Sequence, residues 1–267
     1  MSDYASQDDI VTISIPREVE IKTAAKSIIG TREYQQDAYN VTENEFAKLA
    51  VVCDGMGGME GGERASRKAV DKLVEDFEKW DGKDAYVFLN RAAIHMDQVV
   101  SSLKDGNGKY LKAGTTTVVA VVVIENKMYW LSVGDSRIYV LRGDEMQCVT
   151  RDHNYRYKME QKLNKGEITE AEFMAAESKF EALVSYIGMD CPEMVDVPKK
   201  PLELLCDDRI LLCSDGLYKC LKQEGLEQIL LSSYEDVNVS VEELISAVEK
   251  SPKKHKDNTT VILMSYE

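Results

Sequence analysis

Residues Thr115–Leu141 read TTTVVAVVVIENKMYWLSVGDSRIYVL, three apolar or alternating runs rich in β-branched residues. Runs of this kind predict strands over Thr115–Ile124, Lys127–Val133 and Arg137–Leu141. Only Glu125 and Asn126 separate the first two, and only Gly134–Ser136 the next two. A parallel crossover needs a dozen or more residues, so links this short require antiparallel neighbours. A doubly wound parallel sheet is thereby disfavoured.

Moving outward, Val11–Ile15, Ala47–Cys53, Arg209–Cys213 and Thr259–Met264 read as further strands. Helical spacing shows in Glu63–Trp80, where Ala65, Ala69, Leu73 and Phe77 recur every fourth residue, and in Ala85–Leu103. Asp152–Leu163, Thr169–Leu183, Gln223–Leu230 and Val241–Glu249 also read as helices. Thr169, with Glu172 three residues on, has a capping-box pattern. Antiparallel strand groups with paired helices between them predict packed layers of both types.

The chain has 267 residues, 44% hydrophobic and 30% charged, enough to bury a sizeable core. No Pro- or Ser-rich linker and no internal repeat divides it, so a single domain over residues 1–267 is expected, with the polar residues 1–10 frayed at its start. Thirty-three basic against 47 acidic residues leave a net charge of −14, which disfavours nucleic acid as a partner. The longest apolar run, Thr115–Ile124, is about half of a membrane span, and Met1–Ile10 lacks the pattern of a secretory leader. No membrane association and a cytoplasmic location are expected. The six cysteines show no C-x-x-C spacing and read as reduced, Cys53 and Cys213 as small core residues.

Several aspartates stand at the ends of the most apolar runs. A carboxylate there loses hydration at a cost of several kcal/mol unless a cation or hydrogen-bond donors compensate. Ala50-Val51-Val52-Cys53 leads into Asp54-Gly55-Met56-Gly57-Gly58-Met59-Glu60-Gly61-Gly62 and then a helix. No Lys-Ser or Lys-Thr completes a P-loop, and Glu60 stands where a dinucleotide fingerprint needs its third glycine. What is left is a glycine turn that can present Asp54 and a main-chain carbonyl to a hard cation, or a plain capped turn. Ile210–Cys213 ends in Ser214-Asp215-Gly216, Asp257-Asn258 precedes Thr259–Met264, and Gly134-Asp135-Ser136 links two strands. Each alone also reads as a turn; four together predict carboxylates that repel one another unless divalent cations relieve them. Oxygen-only ligation selects Mg²⁺ or Mn²⁺ over Zn²⁺, and His95, His153 and His255 form no zinc-type pair. There is no G-x-S-x-G elbow for a serine nucleophile. No cysteine heads a glycine-rich anion loop ending in arginine.

In chain order, Arg32-x4-Asp37, Asp54-Gly55-Met56-Gly57-Gly58, Ala113-Gly114-Thr115-Thr116, Gly134-Asp135-Ser136-Arg137, Asp152-His153, Ser214-Asp215-Gly216-Leu217 and Asp257-Asn258-Thr259-Thr260 resemble the successive motifs of the metal-dependent (PPM, type 2C) Ser/Thr protein phosphatases of bacterial type. The resemblance runs from about residue 11 to the C-terminus. It implies an α+β fold, a four-layer αββα sandwich of two antiparallel β-sheets flanked by helix pairs, with a two-metal centre at one end. It implies that Asp54 bridges two Mn or Mg ions, that the Gly55 carbonyl ligates one, and that Asp215 and Asp257 hold the other. Asp37 would act through a metal-held water, Arg32 would grip the substrate phosphate, and Asp135 would belong to a weaker third metal site. Asn258 is expected to orient its neighbours. Two ions about 3.5 to 4 Å apart can hold a bridging water and aim it in line at phosphorus, and a guanidinium fork suits bidentate phosphate recognition.

This chain departs from the family at three places. Met56 stands where many eukaryotic members carry a histidine proposed as general acid, so protonation of the leaving group would fall to a metal-bound water. Gln35 and Gln36 replace a frequent Asn and Glu, which makes the second metal's surroundings one charge poorer and predicts a need for added Mn²⁺. Residues 150–187 interrupt the strand pattern with charged helical stretches where the family carries a flap; a plain helical hairpin is the other reading. The expected function is hydrolysis of phosphoserine and phosphothreonine in proteins by a monomeric enzyme that opposes a Ser/Thr kinase. The alternatives are a pseudophosphatase that binds phosphoproteins without cleaving them and a phosphatase of small phosphate esters.

Overall fold

Seven consecutive apolar residues, Val118–Ile124, have no polar face because their strand is covered on both sides. Val118, Ala120 and Val122 pack outward against helices, whereas Val119, Val121 and Val123 pack inward against a second sheet. The computed structural model, which describes residues 20–57, 61–111 and 114–267, shows how the rest of the chain supplies those covers.

The chain begins with β1 (Ile21–Ile28), β2 (Asp37–Glu43) and β3 (Lys48–Met56), then α1 (Gly61–Glu78) and α2 (Ala85–Ser101). Strands β4 (Thr115–Thr116), β5 (Val118–Ile124), β6 (Lys127–Val133), β7 (Arg137–Arg142) and β8 (Glu145–Cys148) follow. After α3 (Tyr155–Asn164), α4 (Glu170–Ala175) and a 3-10 turn at Glu177–Lys179 come β9 (Leu202–Glu203), β10 (Asp208–Cys213), α5 (Asp215–Cys220), α6 (Gln223–Ser232), α7 (Val237–Lys250) and β11 (Thr259–Tyr266).

One sheet has the order β2-β3-β5-β6-β9, with β4 on the end of β3; the other has the order β1-β11-β10-β7-β8. All pairings are antiparallel. Helices α1 and α2 cover the first sheet, α6 and α7 the second, and a third apolar cluster fills the space between the sheets. The layers are those of the expected αββα sandwich. The alternation is strict: Leu49, Val51 and Cys53 of β3 face α1 while Ala50 and Val52 face the other sheet, and in β11 Val261 and Leu263 face α7 while Ile262 and Met264 face inward. Helix α1 buries Ala65, Ala69, Leu73 and Phe77, the residues whose spacing predicts it. All six cysteines are unpaired, with Cys53 and Cys213 in the core.

Two expectations are corrected. Lys127–Val133 and Arg137–Leu141 are not paired neighbours, because β6 and β7 belong to different sheets. Gly134, at φ +108°, turns the chain from one sheet to the other, and a Cβ there would meet the Thr117 side chain at 2.5 Å. The predicted helix over Thr169–Leu183 stops at Ala175, although its Thr169–Glu172 capping box forms; the chain then turns to bury Phe180 under Arg156 and against Phe173. Strands β1, β2, β8 and β9 carry no strong apolar signal. β1 and β2 are edge strands, where lysines and polar residues face water. The predicted strand Val11–Ile15 and the fraying of residues 1–10 lie outside the described residues. No helix among the described residues is long and apolar enough to cross a membrane.

Leu73 is fully buried between α1 and the first sheet. Leu73→Ala is predicted to destabilise the fold by about 2 to 5 kcal/mol, read as a lower denaturation midpoint in urea with an unchanged slope.

Candidate functional site

The antiparallel order brings the start of β2, the end of β3, the end of β10 and the start of β11 to one end of the sandwich. Asp37 and Asp54 are register partners, and Cys213 pairs with Val261, which places Asp215 and Asp257 just beyond the same strand ends. The β6–β7 turn adds Asp135. Asp54, Asp135, Asp215 and Asp257, together with Arg32, Gly55, Gln36 and Lys219, line one cavity of about 370 Å³. Glu181 and Leu183, which follow the 3-10 turn, line it from the side of the helical segment.

Asp37, buried opposite Asp54 in the register, does not line this cavity but another of about 620 Å³, with Ser27, Gln35 and Arg67. Its Oδ2 accepts hydrogen bonds from Ser214 Oγ and Thr260 Oγ1, each at 2.7 Å, while Oδ1 has no partner. Burial pushes its carboxyl up to about 7; the two hydroxyls oppose the rise, and Asp215 and Asp257 add to it. Asp54 is raised well above the usual carboxylate range by burial and by the charges of Asp37, Asp215, Asp135 and Asp257. Burial, then Asp215, lifts Asp135 to about 6 against the pull of Lys219. These shifts describe like charges sharing a poorly hydrated volume.

The surrounding backbone leaves the carboxylates little freedom to separate. The Asp54 carbonyl accepts from Thr117 N at 2.9 Å and Thr116 Oγ1 at 2.8 Å. Gly55 N donates to Gln36 O at 3.1 Å, and a Cβ on Gly55 would stand 2.1 Å from Gly62 O, so the first turn of α1 can lie this close only against glycine. Asn258 orients its neighbours as expected. Its Oδ1 accepts from Gln36 N at 2.8 Å, and its Nδ2 donates to Ile29 O and Tyr34 O, pinning the loop that carries Arg32. Beside Asp135, Tyr218 donates to the Asp135 carbonyl at 3.0 Å, and Arg137 stacks on the Tyr218 ring and forks onto Asp152 at 2.9 and 2.7 Å. His153 is fully buried; its Nδ1 accepts from Gly134 N at 3.2 Å, and its Nε2 stands 3.2 Å from Asp196 Oδ2.

Two cations not both foreseen in the sequence complete the site. Arg32 forms an ion pair with Asp257, and Lys219 forms one with Asp215 from one helical turn away. Lys219, Glu181 and Tyr218 stand in none of the quoted motifs, and Ser214 and Thr260, which do, have no role assigned from them. Reading Asp215–Cys220 as a helix would have placed Lys219 over Asp215 by its spacing of four. Among the described residues, no three His, Cys, Asp or Glu side chains stand as a ready-made ligand cage, since Asp215 and Asp257 are drawn to their cations. The donor set nevertheless fits hard divalent ions. It is made of oxygens only, and Asp37 Oδ1 and Asp215 Oδ1 are buried without partners.

Known proteins resemble this chain in sequence and in fold. The family model for protein phosphatase 2C matches residues 26–257. The serine/threonine phosphatase stp of Listeria innocua is 28% identical over 240 residues, covering 87% of this chain and 90% of its own. The solved structure of the S. agalactiae serine/threonine phosphatase superposes with a TM-score of 0.79 at 25% identity, covering 93% of this chain and all of that one. The catalytic domain of the serine/threonine protein phosphatase PstP, solved in complex with two manganese ions, gives 0.72 at 25% identity, with 93% of this chain and 99% of that one covered.

The turn that carries Asp135 rests on His153, and His153 faces Asp196, whose carboxylate also takes a two-pronged bond from Arg151. Burial alone would raise the Asp196 carboxyl, but His153 and Arg151 hold it at about 2, below its ordinary 3.8. A carboxyl depressed on folding adds stability that is fully present above about pH 4 and is lost as the pH falls toward 2. Asp196→Asn is predicted to cost about 1 to 2 kcal/mol at pH 6 and to flatten the acid limb of stability between about pH 4 and 2, read from urea midpoints across that range.

Proposed function

The chain belongs to the protein phosphatase 2C family, and from that premise we infer that it hydrolyses phosphoserine and phosphothreonine in proteins with the help of two Mn or Mg ions. The observation that carries this reading is the gathering of Asp54, Asp135, Asp215 and Asp257 with Arg32 around one cavity, with a buried Asp37 opposite Asp54 that has one oxygen unpartnered. Asp54, Asp215, Asp257 and the Gly55 carbonyl would hold the two ions, and Asp135 a weaker third. When bound, such ions neutralise phosphoryl oxygens and lower the pKa of a water so that it attacks at neutral pH.

The chain's own residues do the rest. With Asp257 holding a cation, Arg32 would be released from its pair with that carboxylate, and its guanidinium fork would be free to bind two phosphate oxygens of the substrate. Lys219, paired with Asp215 in the same way, would then add positive charge at the rim. Asp37 keeps Oδ2 occupied by Ser214 and Thr260, so Oδ1 is its one free oxygen for taking a proton from the attacking water. Met56 donates no proton, and the leaving alkoxide takes its own from solvent. Residues 150–187 act as a flap within a single 1–267 domain, with Glu181 and Leu183 at its contact with the cavity. A monomeric cytoplasmic enzyme that reverses the work of a Ser/Thr kinase completes the reading.

Phosphate release from a phosphothreonine peptide tests this directly. Release that depends on added Mn²⁺, and faster turnover of the peptide than of a sugar phosphate, are the expected results. No release at any metal concentration would point to a phosphoprotein-binding module, and preference for the sugar phosphate to an esterase of small molecules. Asp54→Asn is predicted to lower turnover by more than about 100-fold, beyond what losing an outer-shell partner of a metal ligand costs. Its thermal midpoint in EDTA should equal or exceed that of the parent, because one member of a repelling cluster has become neutral.

A further inference from the structure

We propose that a basic groove beside the phosphate cavity recognises a second anionic group in the substrate, so that the preferred substrates are acidic phosphopeptides. The inference rests on the phosphatase reading above and adds to it the chemistry of the flanking residues. The groove, of about 380 Å³, is lined by Arg32, Lys219, Lys253, His255 and Lys256, and its one carboxylate, Asp257, is paired with Arg32. Arg32, Lys219 and Asp257 also line the acidic cavity, so the two spaces are contiguous.

Arg32 and Lys219 pair with Asp257 and Asp215, whereas, among the described residues, the cations of the 253–256 loop do not pair internally. In a chain of net charge −14, residues 253–256 read Lys-Lys-His-Lys. Among the described residues, none of the four pairs with a carboxylate. Lys256 Nζ donates only to the Lys253 carbonyl, at 3.0 Å, and Lys253 and His255 are exposed. Their backbone is nonetheless held firmly. Thr31 N donates to Lys256 O at 3.0 Å, Lys256 N donates to Thr31 Oγ1 at 2.9 Å, and Gly30 lies so close to Asp257 that a Cβ would sit 2.3 Å from its carbonyl oxygen. This latch fastens the basic loop to the turn that carries Arg32. Unpaired cations presented on a fixed backbone at the mouth of a phosphate site attract anions without an ordering cost to the loop. Since the two spaces share lining residues, the second anion falls within about three residues of the phosphorylated one. Either a carboxylate or a second phosphate supplies that chemistry.

The test uses the Mn²⁺-loaded chain and phosphothreonine peptides with neutral flanks, with glutamates within three residues, or with a second phosphothreonine. At low salt, kcat/KM is expected to be about 5- to 20-fold higher for the two anionic peptides than for the neutral one, and the ratio should shrink in 0.5 M NaCl. Comparing the glutamate and doubly phosphorylated peptides identifies which anion the groove prefers. Lys253→Gln with Lys256→Gln should remove most of the preference, and Lys253→Glu should reverse it, while turnover of the neutral peptide stays within about twofold. Equal kcat/KM for all peptides in the parent chain, or a preference that survives these substitutions, overturns the proposal even though the enzyme is active. Binding of the same peptides to Asp54→Asn, followed by fluorescence anisotropy with and without the lysine substitutions, reads the groove without turnover. Equal affinities there overturn the proposal whether or not the chain is catalytic.

Discussion

Carboxylates that would drift apart in water are held together at one end of this molecule by a backbone that cannot move away from itself. Asp54 is locked through its carbonyl to Thr116 and Thr117, its neighbour Gly55 is bonded to Gln36, and Asp37 is clamped by Ser214 and Thr260. The result is a set of acids raised above their ordinary range by burial and mutual repulsion. Repulsion stored in this way favours whatever brings positive charge. In the chain itself that charge comes from Arg32 and Lys219.

The same two cations connect the site to the groove next to it. They face acids on one side and an unpaired basic loop on the other, so the end of the sandwich carries both signs of charge within one continuous surface. The net charge of −14 describes the whole chain and conceals this local reversal.

Much of the fold was legible because both sheets are covered on both faces. A strand buried on each side reads as an unbroken apolar run, and Val118–Ile124 and the stretches 210–213 of β10 and 261–264 of β11 stand out for that reason. The edge strands β1 and β2 were missed because their outward residues are lysine, tyrosine and threonine, which read equally well as loop. The short link Gly134–Ser136 was read as a hairpin although it crosses between sheets, since a three-residue connection fixes proximity but not hydrogen-bonded pairing. At the site, Asp37, Asp54, Asp135, Asp215, Asp257 and Arg32 were visible as motifs. Lys219 was hidden because Asp215-Gly216 reads as a turn rather than as the start of a helix.

By itself, the order of residues determined which segments are buried strands, which helices are amphipathic, and that aspartates cap the apolar runs, because hydrophobic period and turn chemistry are local properties. Only tertiary structure decided that β6 and β7 part into two sheets, that Asp37 lies opposite Asp54, and that Arg32 and the loop at Lys253–Lys256 sit side by side. Those relations join residues up to 225 positions apart, and no local pattern encodes a contact whose partners meet only when two sheets close over a shared core.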